Sequence, residues 1–104
     1  MEIVLIDTFI VPEESKNEFR DAAVNAQNFI KSLPGYVEGY IYEQKDGDSQ
    51  YNFLTTAVWK DQDAFEAAKK AVSTEYQKRG YDPQVTRQKL GITQTRSTYN
   101  RSPY

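Results

Sequence analysis

The chain of 104 residues has no cysteine and no histidine. Without cysteine there is no disulfide framework and no thiolate chemistry, a pattern that fits a cytoplasmic protein. Without histidine the sequence lacks the commonest metal ligand and the commonest general base. The two absences argue against a zinc site, a catalytic triad and a histidine-ligated haem, and we expect no bound metal and no cofactor.

Long apolar runs and clusters of basic residues are also missing. No run approaches the roughly 20 apolar residues of a membrane-spanning helix, and no basic segment precedes an apolar one as in a secretion signal. The formal net charge is -2 and the basic residues are scattered, which argues against nucleic acid as a partner. With 38% hydrophobic and 27% charged residues, the composition is that of one globular domain, and we expect no membrane partner.

The stretch from residue 51 to residue 65 contains a predicted strand that is followed directly by a predicted helix. Its first part is rich in aromatic and β-branched residues, which favour a strand, and this strand ends near Trp59, the only tryptophan. Asp61 is a predicted helix N-cap, because its carboxylate can accept a hydrogen bond from the first turn, and Asp63 complements the helix dipole. The tryptophan therefore stands where a strand meets a helix, and we expect function at this corner.

The remaining elements follow from hydrophobic periodicity and from breaker residues. The predicted strands cover residues 2–10, 36–44, 51–60 and 89–98, and the predicted helices cover residues 12–33 and 62–79. Pro12 suits a first helical turn, Pro34 and Gly35 end the first helix, and Gly80 caps the second.

The order strand, helix, strand, strand, helix, strand predicts an α+β fold. It is the ferredoxin-like βαββαβ arrangement, with a four-stranded antiparallel sheet and both helices on one face. Residues 1–98 are expected to form this domain, and residues 99–104 a polar C-terminal tail.

Alternation along the strands sorts their side chains onto two unlike faces of the sheet. One face is nearly all aliphatic and collects Val4, Ile6, Ile10, Leu54, Val58, Leu90 and Ile92. The other face is mixed and collects Leu5, Asp7, Phe9, Phe53, Thr55, Ala57, Trp59, Thr93 and Thr95. The second strand is predicted to place Val37 and Ile41 on the aliphatic face and Tyr36, Tyr40 and Tyr42 beside Trp59. A slip of one residue would reverse this register.

Two helices can cover only one of these faces. If they cover the mixed face, the bare aliphatic face predicts a homodimer in which two sheets pack together. Beneath the helices, aromatic rings, the small residues Thr55 and Ala57 and the carboxylate of Asp7 have the composition of a pocket for a flat organic ligand. The alternative is that these aromatic side chains are simply the core of the domain.

The chain resembles the antibiotic biosynthesis monooxygenase family of dimeric α/β barrels over nearly its full length. The resemblance is carried by Pro12, by Leu33-Pro34-Gly35-Tyr36 and by Val58-Trp59-Lys60-Asp61-Gln62-Asp63-Ala64-Phe65. The family includes cofactor-independent monooxygenases that oxidise polycyclic phenols with molecular oxygen, haem-degrading enzymes, and members without an assigned reaction. Haem-degrading members ligate iron through a histidine of the second helix, and the lack of histidine here argues against that activity.

The resemblance implies a pocket between helices and sheet in each subunit, with Trp59 in its wall. An asparagine on the first strand lies near the reacting centre of haem-degrading members, and Asp7 looks like the matching position. In a phenol oxidation Asp7 would accept the phenolic proton, Trp59 would stack on the ring, and Arg79 would stabilise the anion. Asp7 and Arg79 also have structural interpretations, as a carboxylate bonded to a neighbouring element and as a solvated helix end. The residues expected to bind the substrate are Phe9, Tyr40, Phe53, Thr55, Phe65 and Val72.

Three functions are compatible with these features. The first is a cofactor-independent monooxygenase that acts on a small aromatic or quinol substrate. The second is a non-catalytic homodimer that binds a small hydrophobic molecule or serves as an accessory module, which the scarcity of reactive side chains favours. The third is a purely structural dimer whose pocket is filled by its own side chains.

Overall fold

The computed structural model describes residues 1–103, so Tyr104, the end of the predicted tail, lies outside the described residues. The strands are β1 (Ile3–Ile10), β2 (Tyr36–Glu43), β3 (Phe53–Trp59) and β4 (Thr93–Tyr99). The helices are α1 (Lys16–Ile30), α2 (Gln62–Arg79) and α3 (Pro83–Leu90), and a 3-10 turn at Glu13–Ser15 precedes α1. Within residues 1–103, no helix combines the length and the apolar character that crossing a membrane requires.

The four strands form one antiparallel sheet in the order β2-β3-β1-β4. The connections between β1 and β2 and between β3 and β4 each contain a helix, and α1 and α2 pack on the same face of the sheet. The predicted ferredoxin-like α+β fold is therefore confirmed.

Two clusters of buried side chains hold the helices on the sheet. In the first, Phe19 of α1 packs on Phe9 and Phe53, and both pairs of ring centroids are 4.7 Å apart. In the second, Phe65 and Ala68 of α2 pack with Ala57 and Trp59. Because burying one such aromatic side chain stabilises the fold by about 1.5–3 kcal/mol, these contacts determine which face of the sheet is covered. The predicted positions of the sheet residues in both clusters are confirmed.

The opposite face, called the outer face here, is left open by this arrangement. The molecule measures 41 × 38 × 18 Å, and a thickness of 18 Å holds one sheet and one layer of helices. The middle of the outer face carries Val4, Ile6, Leu54 and Val58, because Val4 pairs with Val58 and the other two follow the same alternation.

The register of β2 differs from the prediction by one residue. A β-bulge between Tyr36 and Glu38 keeps Tyr36 beside Trp59 and then reverses the alternation. Ile41 therefore lies opposite Thr55 on the helix face, whereas the residues opposite Thr56 and Leu54, Tyr40 and Tyr42, lie on the outer face. The predicted placement of Ile41, Tyr40 and Tyr42 was wrong, because simple alternation does not anticipate a bulge.

The start of the last strand was also predicted wrongly. Residues 83–90 form α3, because Asp82 caps its first turn, Pro83 stands at its start, and Gly91 ends it with a left-handed φ of 69°. Leu90 is therefore helical, and Ile92 packs against the first core cluster rather than on the outer face. In β4, Thr95 pairs with Thr8 and Thr93 with Ile10, so both threonines lie on the outer face.

The two ends of α2 follow local sequence signals. Asp61 caps α2 by accepting a hydrogen bond from the backbone N–H of Ala64 at 2.8 Å, and Gly80 ends α2 with a φ of 64°. Both predicted caps are confirmed. The first helix is shorter than the predicted 12–33, because its entry is a 3-10 turn and its last residues form turns before Tyr36.

Candidate active site

A row of cross-strand partners crosses the helix face near the middle of the sheet. It runs from Ile41 on β2 through Thr55 on β3 and Asp7 on β1 to Arg96 on β4. Asp7 is only 6% exposed. The Nε of Arg96 donates to Oδ1 of Asp7 at 2.8 Å, and its Nη2 donates to Oδ2 at 2.9 Å. This two-point contact fixes the plane of the guanidinium group above the sheet.

The ion pair joins a buried anion to a half-exposed cation, since the side chain of Arg96 is 54% exposed and that of Asp7 only 8%. The hydrogen bonds to Asp7 raise the pKa of Arg96 above its ordinary value, although partial burial acts in the opposite direction. Both carboxylate oxygens of Asp7 already accept hydrogen bonds from Arg96. While the pair is closed, the site therefore presents a positioned cation and not a free general base.

Tyr76 of α2 is close enough to Arg96 for the two groups to interact electrostatically. Its ring meets that of Tyr81 edge to face, with the centroids 5.0 Å apart. Burial raises the pKa of the Tyr76 hydroxyl, and the neighbouring Tyr81 adds to the rise, whereas the positive charges of Arg79, Arg96 and Arg87 lower it. Because the net pKa is raised, Tyr76 keeps its proton at neutral pH and is a hydrogen-bond donor.

Trp59 lies on the same face as Asp7 but at another level of the sheet. Trp59 pairs with Ile3 and Asp7 with Thr55, so the two residues are separated by four positions along β3, roughly 13 Å. The Trp59 ring is 2% exposed and packs edge to face on Tyr36 at 5.7 Å. The structure therefore does not bring Asp7 and Trp59 into contact, and it places the indole ring in the core.

The other predicted site residues are distributed over both faces and the surface. Thr55 is the neighbour of Asp7 in the row, and Val72 is half-buried on α2. Phe9 and Phe53 belong to the first core cluster, and Phe65 packs with Trp59 in the second. Arg79 is an exposed helix end that pairs with Glu75 at 3.5 Å, and Tyr40 lies on the outer face, away from the other site residues.

Two grooves open at the surface of the helix layer, and neither is lined by Asp7 or Trp59. The larger, of about 460 Å³, lies between α1 and α2 and is lined by Phe29, Ala67, Lys70, Ala71, Thr74, Glu75 and Lys78. The smaller, of about 210 Å³, lies between α1 and β2, where Gln27, Gly39 and Tyr40 contribute to its lining. In the described part of the chain, no three acidic side chains lie close enough together to hold a metal ion.

Sequence reasoning missed Arg96 and the role of Tyr76. Arg96 is a lone charge in the polar strand Thr93–Tyr99, and nothing in its immediate sequence distinguishes it from a solvated arginine. The available signal was indirect: Asp7 is a lone carboxylate in an apolar strand and requires a cationic or hydrogen-bonding partner. Identifying that partner depends on the β1–β4 register, which local sequence does not specify.

The chain belongs to the antibiotic biosynthesis monooxygenase family, because the sequence profile of that family matches residues 2–78. The match includes Asp7 and Trp59 and ends before Arg87 and Arg96. The family relationship supports a monooxygenase-type function at the level of the family. No curated protein sequence is significantly similar to this chain.

Solved structures share the fold at low sequence identity. A variant of SnoaB, a cofactor-independent oxygenase from Streptomyces nogalater, is 19% identical with a TM-score of 0.71, covering 99% of this chain and 95% of its own. A dabb family protein with a ferredoxin-like fold from Mesorhizobium loti is 17% identical with a TM-score of 0.69, covering 98% of each chain. A MhuD variant with two manganese protoporphyrin IX molecules per active site is 13% identical with a TM-score of 0.74, covering 98% of this chain and 96% of its own.

Proposed function

We propose that this protein is a cofactor-independent monooxygenase that oxidises a small aromatic or quinol substrate between the helices and the sheet. The observation that carries the proposal is the buried Asp7–Arg96 ion pair, which holds a half-exposed guanidinium group on the helix face. Membership of a monooxygenase family supports the reaction type.

The reaction needs a cation more than it needs a nucleophile. An electron-rich phenol that has lost its proton to water can give an electron to molecular oxygen, and the two radicals then join through a new carbon–oxygen bond. The resulting peroxide takes a proton from water; the carbon that bears it then loses its remaining hydrogen as a proton while the oxygen–oxygen bond breaks and hydroxide leaves, so that a carbonyl group and water are formed. One oxygen atom enters the product and the other leaves as water, so no external reductant is required.

Arg96 has the main electrostatic role in this proposal. A fixed guanidinium group stabilises the phenolate without reorganising during the reaction, which is the most effective form of electrostatic catalysis. Asp7 is a positioning residue, because it holds the guanidinium plane and acts on the substrate only through Arg96. This assignment replaces the expectation that Asp7 itself accepts the phenolic proton.

Trp59 and Arg79 receive supporting roles in the proposal. Trp59 supports the wall of the site from the core, where it packs with Phe65 on the same face as Asp7. Arg79 contributes positive charge at the end of α2 near Tyr76. Thr55 is the neighbour of Asp7 in the row and Val72 is half-buried on α2, and in this proposal both contact the substrate.

Oxygen uptake with 1,8-dihydroxyanthrone tests the proposal. This tricyclic phenol has one reactive CH₂ group and yields 1,8-dihydroxyanthraquinone and water with one molecule of oxygen. With ¹⁸O₂, one labelled atom is expected in the new carbonyl group. The variant Arg96→Gln is expected to lower kcat/KM by about 100-fold, because it removes the stabilising cation.

The matched control is Arg20→Gln, which removes an arginine whose partner is Glu43 on a different part of the helix face. Its kcat/KM should stay close to that of the wild type. If the wild type consumes no more oxygen than Arg96→Gln with hydroxyanthrones, hydroquinones and polycyclic phenols, the monooxygenase proposal fails for these substrates.

A second candidate function is non-catalytic binding of a small hydrophobic molecule. It is favoured by the engagement of both Asp7 oxygens, which leaves few reactive groups on the helix face. A ligand that quenches the fluorescence of Trp59 without any product formation would support binding alone. Product containing ¹⁸O would exclude it.

We further propose that the protein forms a homodimer through the outer face. Val4, Ile6 and Leu54 form a partly exposed apolar strip on β1 and β3 beside the buried Val58, and the thin molecule has no second layer over this strip. Tyrosines on the two edge strands flank this strip: Tyr40 and Tyr42 on β2 and Tyr99 on β4, each about half exposed. A second copy of the same face is the simplest partner, since an apolar centre with amphipathic edges is self-complementary.

A further inference from the structure

The groove between α1 and β2 contains a buried polar atom that makes no hydrogen bond. Gln27 lines this groove of about 210 Å³, and its side chain is almost fully buried, with 8% of the residue exposed. The Nε2 atom of Gln27 donates to the carbonyl oxygen of Thr56, whereas Oε1 has no donor among residues 1–103. A buried acceptor without a donor costs free energy, so a ligand that supplies a donor here would be stabilised.

The neighbouring carbonyl group fixes which atom of the Gln27 amide is unpaired. If the nitrogen and oxygen of the amide were exchanged, Oε1 would face the carbonyl oxygen of Thr56 at the present Nε2 distance of 3.0 Å. Two acceptors would then repel each other, and neither could supply a proton. The unpaired atom is therefore the oxygen, and its partner must be an N–H or O–H group.

Gly39 leaves room directly beside this oxygen. A Cβ atom on residue 39 would lie 2.8 Å from Oε1 of Gln27 and 2.9 Å from the hydroxyl oxygen of Tyr36. The φ angle of Gly39 is not in the left-handed region, so the backbone conformation alone does not require glycine here. Gly39 also lines the groove, and its missing side chain keeps the space between the groove and Oε1 free.

The walls of the groove restrict the chemistry of a ligand. One stripe of α1 supplies Val24, Gln27, Asn28 and Lys31, because residues three and four positions apart share a helix face, and β2 supplies Ile41. No carboxylate is among the lining residues, so a cationic ligand would meet Lys31 without a compensating charge. A carboxylate ligand would suit Lys31 but has no proton to donate to Oε1. A neutral group with a donor next to an acceptor meets both requirements.

We propose that the groove between α1 and β2 binds a small primary carboxamide with a flat apolar body. The N–H group of the ligand donates to Oε1 of Gln27, and its carbonyl oxygen accepts from Asn28 or Lys31. The body packs between Val24 and Ile41. The groove is smaller than the roughly 300 Å³ at which sites for drug-sized ligands begin, so the ligand is small. Because Oε1 is covered in the free protein, the groove must open slightly, and we expect millimolar affinity.

This carboxamide site is separate from the Asp7–Arg96 pair. Ile41 stands at the β2 end of the cross-strand row and Arg96 at its β4 end. Three strand spacings, roughly 14 Å, therefore separate the two positions. The inference goes beyond the proposed function and does not rest on it.

Binding of benzamide and acetophenone to the full chain tests the proposal. The two probes are close in size and shape, but benzamide has an NH₂ group where acetophenone has a methyl group. NMR titration is expected to show that benzamide binds about ten-fold more tightly, because only benzamide can donate to the buried oxygen. The backbone N–H signal of Gly39 and the side-chain NH₂ signals of Gln27 should shift to saturation with benzamide.

A variant identifies the acceptor. Gln27→Met keeps a side chain of similar length without its oxygen, and it is expected to bind the two probes equally. The matched control Gln77→Met changes an exposed glutamine of α2 and should keep the preference for benzamide. Arg96→Gln should also keep it, because Arg96 lies at the other end of the row.

Equal binding of the two probes by the wild type would overturn the proposal, as would benzamide shifts that do not include Gln27 and Gly39. An unchanged preference in Gln27→Met would overturn it as well. If Gln27→Met does not fold, the comparison of the two probes on the wild type decides by itself. Loss of benzamide binding would leave the monooxygenase proposal intact, because oxygen uptake with hydroxyanthrones tests that proposal at a different site.

Discussion

The side chain of Gln27 lies over the position that a side chain of Gly39 would occupy. Its Nε2 donates to the carbonyl oxygen of Thr56 at 3.0 Å, and its buried Oε1 has no donor within the described residues. A Cβ atom on residue 39 would lie 2.6 Å from the Thr56 oxygen and 2.8 Å from Oε1 of Gln27. The absence of a side chain at residue 39 therefore lets α1 pack closely on the edge strand β2.

Gly39→Ala is expected to destabilise the protein by about 1–3 kcal/mol, because the added methyl group overpacks the contact between α1 and β2. Urea unfolding followed by tryptophan fluorescence measures the change. Val37→Ala, an exposed position on the same strand, is the control and should change stability by less than about 0.5 kcal/mol. Equal stability of wild type and Gly39→Ala would show that the helix is not held as closely as the contacts indicate.

The Asp7–Arg96 pair predicts an asymmetry between two single substitutions. Arg96→Gln leaves a buried carboxylate without its cation and is expected to cost about 2–3 kcal/mol, somewhat below the range for a fully buried pair because Arg96 is half-exposed. Asp7→Asn leaves a cation that can turn towards water, so its cost should be nearer about 1 kcal/mol.

The double variant Asp7→Asn with Arg96→Gln measures how much of each single stability loss comes from the interaction between the two side chains. It should cost less than the sum of the two single costs, because the buried charge and its partner leave together. Additive costs in urea unfolding would mean that the two side chains do not interact in solution.

Removal of the N-cap of α2 is expected to lower the free energy of unfolding. Asp61→Ala removes the acceptor for the backbone N–H of Ala64 and is expected to cost about 1 kcal/mol. Asp63→Ala removes a charge of the same sign from the first turn without removing the cap, and it should cost less. Thermal unfolding by circular dichroism distinguishes the two, and an equal loss in both would contradict the capping role.

A charged residue in the middle of the outer face is expected to change the oligomeric state of the protein. Ile6→Lys places a charge in the apolar strip and is expected to convert a dimer into a monomer of 12.0 kDa in light scattering. Val24→Lys, at an exposed position of α1, should leave the dimer intact. A monomeric wild type at micromolar concentration would refute the proposed homodimer.

Glu43 predicts a pH dependence of stability. Hydrogen bonds from Arg20, together with the charge of Lys16, lower the pKa of Glu43 below its ordinary value of 4.5, and partial desolvation only reduces this shift. Because the folded-state pKa is the lower one, the stabilisation is fully present above pH 4.5 and is lost as the pH falls through the folded-state pKa.

The variant Glu43→Gln measures this contribution. It should be less stable than the wild type at neutral pH, and the difference should disappear in acid. Glu14→Gln, at an exposed position of the 3-10 turn, controls for the general effect of losing one carboxylate. A difference between Glu43→Gln and the wild type that is constant from neutral to acidic pH would contradict the assigned ion pair.

Much of the fold could be predicted from short-range signals. The alternation of β1 and β3, the cap at Asp61 and the ending at Gly80 depend on neighbouring residues only, and the structure has them as predicted. The sequence Asp82-Pro83 before Gly91 carried the same kind of capping signal for α3, which the strand prediction for residues 89–98 overlooked.

The candidate site depended on long-range pairing instead. Asp7 and Arg96 are 89 positions apart and meet only because β4 pairs with β1 in one particular register. The bulge in β2 likewise decided which tyrosines lie on the helix face. The sequence alone determined the two ends of α2 and the two unlike faces of the central strands, because periodicity and capping act within a few residues. Only the tertiary structure decided which charges meet across the sheet, because strand register is set by contacts between distant segments.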